Sequence, residues 1–219
     1  MSFLDLNYRI LSKILIIPAI LVGLTVHEFA HAYVADKLGD KTPKFQGRLT
    51  LNPFSHIDII GFIMILLIGF GWAKPVQINP SALKRGYKDE IKVSVAGVTA
   101  NVITAFLFAL LTGFLLKLKL VNFGDITSLG GIIGLILNYV VRINCMLAIF
   151  NLMPIPGLDG FDILRDLWPK TFYKISDVIY RYQMIILLIF VVTPISSFLV
   201  GIPTNFLHYS FIKIAMIIF

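Results

Sequence analysis

Three stretches of this chain are too long and too apolar to fold in water. Residues 10–35, 91–116 and 129–153 are dominated by aliphatic and aromatic side chains. A helix of about 20 such residues crosses the hydrocarbon layer of a bilayer. A soluble domain could bury one run of this kind, but three need a polar shell around them. That shell is missing, because 58% of the 219 residues are hydrophobic and only 14% are charged, against about 25% in an ordinary globular domain. The sequence therefore predicts an all-α polytopic membrane protein. It reads as a single transmembrane domain over 1–219, with its core at about 10–170 and C-terminal helices at about 180–219.

Two weaker runs complete the pattern. Residues 184–200 read as a further crossing, while 205–219 is short, is broken by Lys213, and suits a tilted short helix or an interfacial segment. Residues 57–72 carry Gly61, Gly69 and Gly71 and are only marginally long enough to cross. Pro43, Pro53, Pro75 and Pro80 surround them, with Gly39, Gly47 and Gly86, so 36–92 is expected to be irregular. The count is about five crossings, within four to six, plus a re-entrant or membrane-dipping segment after the first helix. Such a dip is tolerated where protein covers its backbone polar groups.

The net charge of +7 does not point to nucleic acid, because the cations lie between the apolar runs rather than in one patch. Cys145 is the single cysteine and sits inside an apolar run, which excludes an internal disulfide and a cysteine-rich metal cluster. Arg9 and Lys13 ahead of an apolar stretch resemble a signal peptide, but cleavage near 30–35 would cut the most informative motif of the chain. The segment is read as a retained helix.

That motif is His27-Glu28-Phe29-Ala30-His31, or H-E-x-x-H. On a helix, positions i and i+4 share a face, so both imidazoles can reach one zinc ion. Glu28 is then placed beside a metal-bound water as a general base. Polar groups of this kind inside an apolar helix are costly and mark function by default. A catalytic zinc takes three protein ligands and leaves a fourth position open. His56, His208 and several carboxylates are candidates for the third ligand. Asp159 stands out, because it follows the fourth run in Asn151-Leu-Met-Pro-Ile-Pro-Gly-Leu-Asp-Gly160, where two prolines and two glycines break the helix. A helix-capping role is its simpler alternative.

H-E-F-A-H followed far downstream by N-x-x-P-x-P-x-L-D-G resembles the site-2 protease family of intramembrane metalloproteases. Gly47-Arg-Leu-Thr-Leu-Asn-Pro53, His56-Ile-Asp58, Gly71-Trp-Ala-Lys-Pro75 and Ala96-Gly97…Asn101 are similar to its compact bacterial branch, which lacks PDZ and CBS domains. The resemblance implies one zinc per chain on His27, His31 and Asp159, water activation by Glu28, and substrate handling at Asn151. Asn101 is a further candidate for holding an extended substrate backbone. Val98 stands where the family usually has proline, and Phe161 where it tends to have a small residue. The implied partners are membrane-protein or membrane-peptide substrates within the bilayer, and the implied location is a bacterial plasma membrane. Nothing in the sequence sets an oligomeric state. A metal carrier using the same three ligands, or a zinc-binding but inactive family member, are the alternative functions.

The proposed ligands constrain topology. His27 and His31 lie near the C-terminal end of the first helix, and Asp159 just past the C-terminal end of the fourth run. For these ends to meet, both helices must run the same way, so an odd number of crossings separates them. Two apolar runs lie between, so one must not cross, and the glycine-rich 57–72 is the weaker. Loops 35–56, 74–92 and 155–181 then share one side and hold thirteen Lys and Arg residues, against Arg9, Lys13, Lys117 and Lys119 opposite. By the positive-inside rule the metal end faces the cytosol.

Overall fold

The computed structural model describes residues 11–219 except positions 124 and 126. Arg9 and the first residue of the 10–35 run lie outside the described residues. Among the described residues, three helices are long and apolar enough to cross a membrane: α1 (Leu11–Leu38), α3 (Tyr87–Lys117) and α4 (Leu129–Asn151). Between α1 and α3 lies the short α2 (Ile59–Ile68). After α4 come α5 (Asp159–Leu167), α6 (Gln183–Val192) and α7, which covers Pro194–Ile218.

The long helices pack through small and polar residues. Ala19 and Gly23 of α1, Ala105 and Ala109 of α3, and Cys145 and Ala148 of α4 are all buried, which lets the backbones approach closely. The large side chains point the other way. Ile103, Leu107, Leu111 and Phe114 form an exposed stripe along α3, while Asn101, Ala105, Ala109 and Thr112 face inward. In water that arrangement would be inside out; in lipid it is the stable one.

Contacts fix the helix directions. Ala19 packs with Val140 and Ile143, and Gly23 faces Ile143 and Leu147, so α1 and α4 run parallel. His27 meets Asn101, whereas His31 meets Val93, so α3 runs against them. One crossing therefore separates α1 from α4, and α2 does not cross. Ten residues of helix rise about 15 Å, half of the hydrocarbon thickness. Asp58 caps the start of α2, its carboxylate accepting from Gly61 N at 2.8 Å. The excursion closes on itself: Ile57 pairs with Ala73 in an antiparallel bridge, and Lys74 N donates to His56 O at 2.9 Å. Lys13 Nζ, from the start of α1, donates to Leu67 O near the tip of α2. The expected re-entrant segment is present.

The C-terminal region departs from the expected boundaries. The fifth run and the short tail are not separate elements broken near residue 200. The break lies at Thr193, where α6 and α7 meet with a bend of 71°. Thr193 precedes Pro194 and is extended at ψ 159°, as a residue before proline tends to be. Pro203, which lacks a donor, is passed by a π turn over Ser197–Gly201, with Ile202 N bonded to Ser197 O. Phe190 of α6 packs with Ile155 and Leu158 near the end of α4. At the opposite end, Ala215 lies on Gly113 and Phe219 on Phe114. The bent pair thus runs from one end of the bundle to the other as a fourth crossing, and the total stands at the low end of the expected range.

Candidate metal centre

Helix α1 continues without a break through the H-E-x-x-H segment and ends at Gly39, whose φ of 119° is the left-handed stop. His27, Glu28 and His31 are buried on its inner face. Asp159 arrives from the other direction. After α4 the chain turns through Pro154, Pro156 and Gly157, and Asp159 becomes the first residue of α5 after an extended Leu158. Gly160 lies so close to the carbonyls of Leu152 and Met153 that any side chain there would overlap them. That contact seats the start of α5 against the end of α4 and aims Asp159 at the histidines.

The three side chains converge. His27 Nε2 lies 3.3 Å from Asp159 Oδ2, and His31 Nε2 lies 3.3 Å from Asp159 Oδ1. The two Nε2 atoms are 3.0 Å apart. Tautomers follow from the remaining contacts. His27 Nδ1 lies 2.7 Å from Asn101 Oδ1 and His31 Nδ1 lies 2.7 Å from Val93 O. Both partners accept, so both Nδ1 atoms carry hydrogen, and both Nε2 atoms present lone pairs. Asp159 Oδ2 is buried without a hydrogen-bond partner. Three acceptors facing one another repel unless a cation, a proton or a metal ion, lies among them. At zinc bond lengths of 2.0–2.2 Å, tetrahedral ligands lie about 3.4 Å apart, close to the separations here. The donor set fits a tetrahedral divalent metal.

The surroundings leave room for it. A side chain at Gly97 would stand 2.5 Å from His31 Nε2 and 2.6 Å from His27 Cε1, so only glycine fits under the imidazoles. The neighbouring Val98, where the family usually has proline, is buried within helical α3. Phe161, the second departure, is also buried and packs edge-on against Phe172 and Tyr180, anchoring α5.

Glu28 is one residue past the first histidine, and its Oε2 accepts from Val76 N at 2.8 Å. Val76 belongs to an extended segment pinned at both ends. Arg48, buried, donates to the carbonyls of Ser55, Lys74 and Pro75. Asp40, fully buried, accepts from Thr42 N at 2.8 Å and Asn79 N at 2.7 Å. Sequence reasoning missed these two residues. The signal was a charged residue directly after each of two breakers, in Leu-Gly-Asp40 and Gly-Arg48.

The structure places the remaining candidates as follows. Asn101 is completely buried, its Oδ1 lies against His27 Nδ1, and its Nδ2 donates to Gly23 O and Asn144 Oδ1. That contact places it to orient His27. Asn151 turns its Nδ2 back to Leu147 O at 2.9 Å. His56 and His208 are not part of the cluster. His56 is fully buried beside Thr50 O, and His208 pairs with Asn138. Asp162 and Asp166 lie on α5. Arg165 grips Asp162, the buried Asp166 and Glu90 of α3 together, with distances of 2.7–3.0 Å.

Comparison with known proteins agrees with this geometry. The sequence profile of peptidase family M50 matches residues 15–193. The chain is 37% identical over 206 residues to "Putative zinc metalloprotease YwhC" of Bacillus subtilis, covering 93% of this chain and 92% of that one. It is 30% identical over 188 residues to "Putative zinc metalloprotease Rip2" of Mycolicibacterium smegmatis, covering 83% and 68%. To "Putative zinc metalloprotease MJ0611" of Methanocaldococcus jannaschii it is 30% identical over 165 residues, covering 73% of each. No solved structure matches the chain. With the profile spanning most of its length and the H-E-x-x-H pair facing the Asp159 carboxylate, the chain belongs to peptidase family M50, the site-2 proteases.

Proposed function

We propose that this protein is an intramembrane zinc endopeptidase that hydrolyses peptide bonds of membrane-embedded substrates near the cytosolic face. The observation that carries the reading is the meeting of the two histidine Nε2 atoms and the Asp159 carboxylate, whose Oδ2 is buried without a hydrogen-bond partner, with Glu28 on the adjacent helical position. In this reading His27, His31 and Asp159 hold one zinc ion per chain. Zinc, when bound, supplies a Lewis acid that polarises a carbonyl and makes water a nucleophile at neutral pH.

The chain's own residues supply the rest. Val76 N–H fixes Glu28 Oε2, so the other oxygen, Oε1, takes the proton from the attacking water and returns it to the leaving amine. Asn101 and Val93 O keep both imidazoles in the Nδ1–H form. A polar cavity of about 240 Å³ beside the site, lined by Val76, Glu90, Val93, Ser94 and Arg165 among others, is the route for water. Asn151 receives substrate backbone through Oδ1. The cytosolic placement rests on the thirteen cations of the loops on the metal side.

The test is proteolysis of a transmembrane peptide by purified protein in liposomes. Glu28→Gln is expected to keep stoichiometric zinc and lose cleavage by at least a hundredfold. Cleavage at the original rate in that variant would remove Glu28 from the mechanism.

A further inference from the structure

A second cavity, of about 780 Å³, lies within the membrane-spanning part of the bundle, between α1, the return of the re-entrant segment, α4 and the bent α6–α7 pair. It is mostly apolar. On α1 its wall is the stripe Ile16, Ile20, Leu24, and the next helical positions on that stripe are His27 and Glu28. On α1 the cavity wall ends at Leu24, one helical turn before His27 and Glu28. On α4 its wall includes Tyr139, Arg142 and Met146.

Arg142 does not fit an apolar wall. It is the fourteenth of the 23 residues of α4 and is exposed. Its guanidinium donates to Asn205 Oδ1 at 3.4 Å, and no carboxylate forms an ion pair with it among the described residues. An unneutralised cation at such depth is costly, and it persists where it lines a cavity and meets a counter-charge. Lys13 lines the same cavity, so among the described residues its charged lining is positive.

Position narrows what the counter-charge is. Ala19 packs against Val140 and Ile143, which sets Arg142 level with Ile20. Glu28 is eight residues further along α1, about 12 Å of helix rise. That distance spans about four residues of extended chain. A lipid headgroup belongs at the membrane surface, whereas a side chain of a bound substrate reaches this depth whenever its scissile bond reaches Glu28.

We infer that Arg142 forms an acidic-residue subsite of the substrate channel, selecting membrane segments that carry Asp or Glu about four residues to the membrane-interior side of the cleaved bond. The inference rests on the proteolytic reading above and names the substrate class for that same site. Charge complementarity inside a low-dielectric channel discriminates partners strongly.

The experiment separates binding from cleavage. Fluorescent transmembrane peptides carrying Asp, Asn or Lys at successive positions are titrated onto the Glu28→Gln protein in nanodiscs, and cleaved by the wild-type protein in parallel. In one register, the Asp peptide is expected to bind at least tenfold tighter than its Asn counterpart, and Arg142→Glu is expected to transfer that preference to Lys. An unchanged peptide ranking in Arg142→Glu overturns the subsite. So does an Arg142-dependent signal that follows the phosphatidylglycerol content of the disc and ignores peptide charge, since the cavity would then belong to lipid. A charge preference in binding without any wild-type cleavage would sink the protease reading and leave the subsite standing. Cleavage without charge preference does the reverse.

Discussion

Replacing Asn101 by alanine isolates what holds the metal ligands in place. The substitution removes the acceptor of His27 Nδ1 at 2.7 Å and the donor to Gly23 O at 3.0 Å and Asn144 Oδ1 at 2.9 Å. The first loss frees His27 to rotate or to take the other tautomer, which would put hydrogen on Nε2 and abolish its lone pair. Partners of metal-bound histidines are worth about 10–100-fold in metal affinity, or about 1.4–2.7 kcal/mol. The second loss leaves buried acceptors without donors, costing about 1–3 kcal/mol of stability. Zinc affinity is measured by competition with a chromophoric chelator, and stability by thermal unfolding in the same detergent. Asn101→Asp is the control: it restores an acceptor to Nδ1, so affinity stays within tenfold of wild type while the metal-free protein loses stability. If Asn101→Ala binds zinc as wild type does and instead raises KM, then the residue handles substrate and the orienting role is wrong.

Three other outcomes follow from the same contacts. Gly97→Ala is expected to cost at least a hundredfold in zinc affinity, because its Cβ would crowd both imidazoles; a variant with full zinc content would show that α3 can shift. Arg165→Met strands the fully buried Asp166 side chain and Glu90, and breaking such a buried pair costs about 3–5 kcal/mol, to be read as a clear drop in thermal midpoint. An unchanged midpoint would show that the cluster does not hold α5. For orientation, single cysteines at Lys88 and Asn122 in a Cys145→Ser background should differ in whole cells: Asn122→Cys reacts with an impermeant maleimide, and Lys88→Cys reacts only after lysis. The opposite pattern would turn the protein over.

What could be read in advance depended on how local the signal was. The histidine pair is a short-range pattern, since four residues of helix suffice to place both rings on one face. The return of 57–72 was also legible, because only one arrangement lets the ends of α1 and α4 meet, and the glycines marked which run gives way. Asn101 is ambiguous in the sequence for a different reason. A buried asparagine in an apolar helix is a hydrogen-bonding group by necessity, yet its partner is 74 positions away, and nothing local distinguishes a histidine from a substrate amide. Asp40 and Arg48 were missed on the same grounds, as their partners at Asn79 and Pro75 lie across the re-entrant segment. The C-terminal boundary failed on Pro194: hydropathy runs straight through Thr193, while the backbone does not.

The chemistry of the groups around the histidines has its own logic. Soluble zinc sites commonly orient their histidines with carboxylates; here the acceptors are Asn101 Oδ1 and Val93 O, both uncharged. With neutral imidazoles, the charges left in the cluster are those of Asp159 and Glu28, which sum to −2 and balance one divalent cation. An orienting carboxylate would add a third negative charge with nothing nearby to offset it, at a depth where unpaired charge is most costly. The neutral Asn101–Asn144 network therefore lets a hydrolytic metal site sit among apolar helices with no net charge. It also ties the metal to the fold, because Asp159 Oδ2 is buried without a hydrogen-bond partner of its own. Chelation should accordingly lower the thermal midpoint of the wild-type protein, and lower it less in Asp159→Asn, where that carboxylate's charge is already gone.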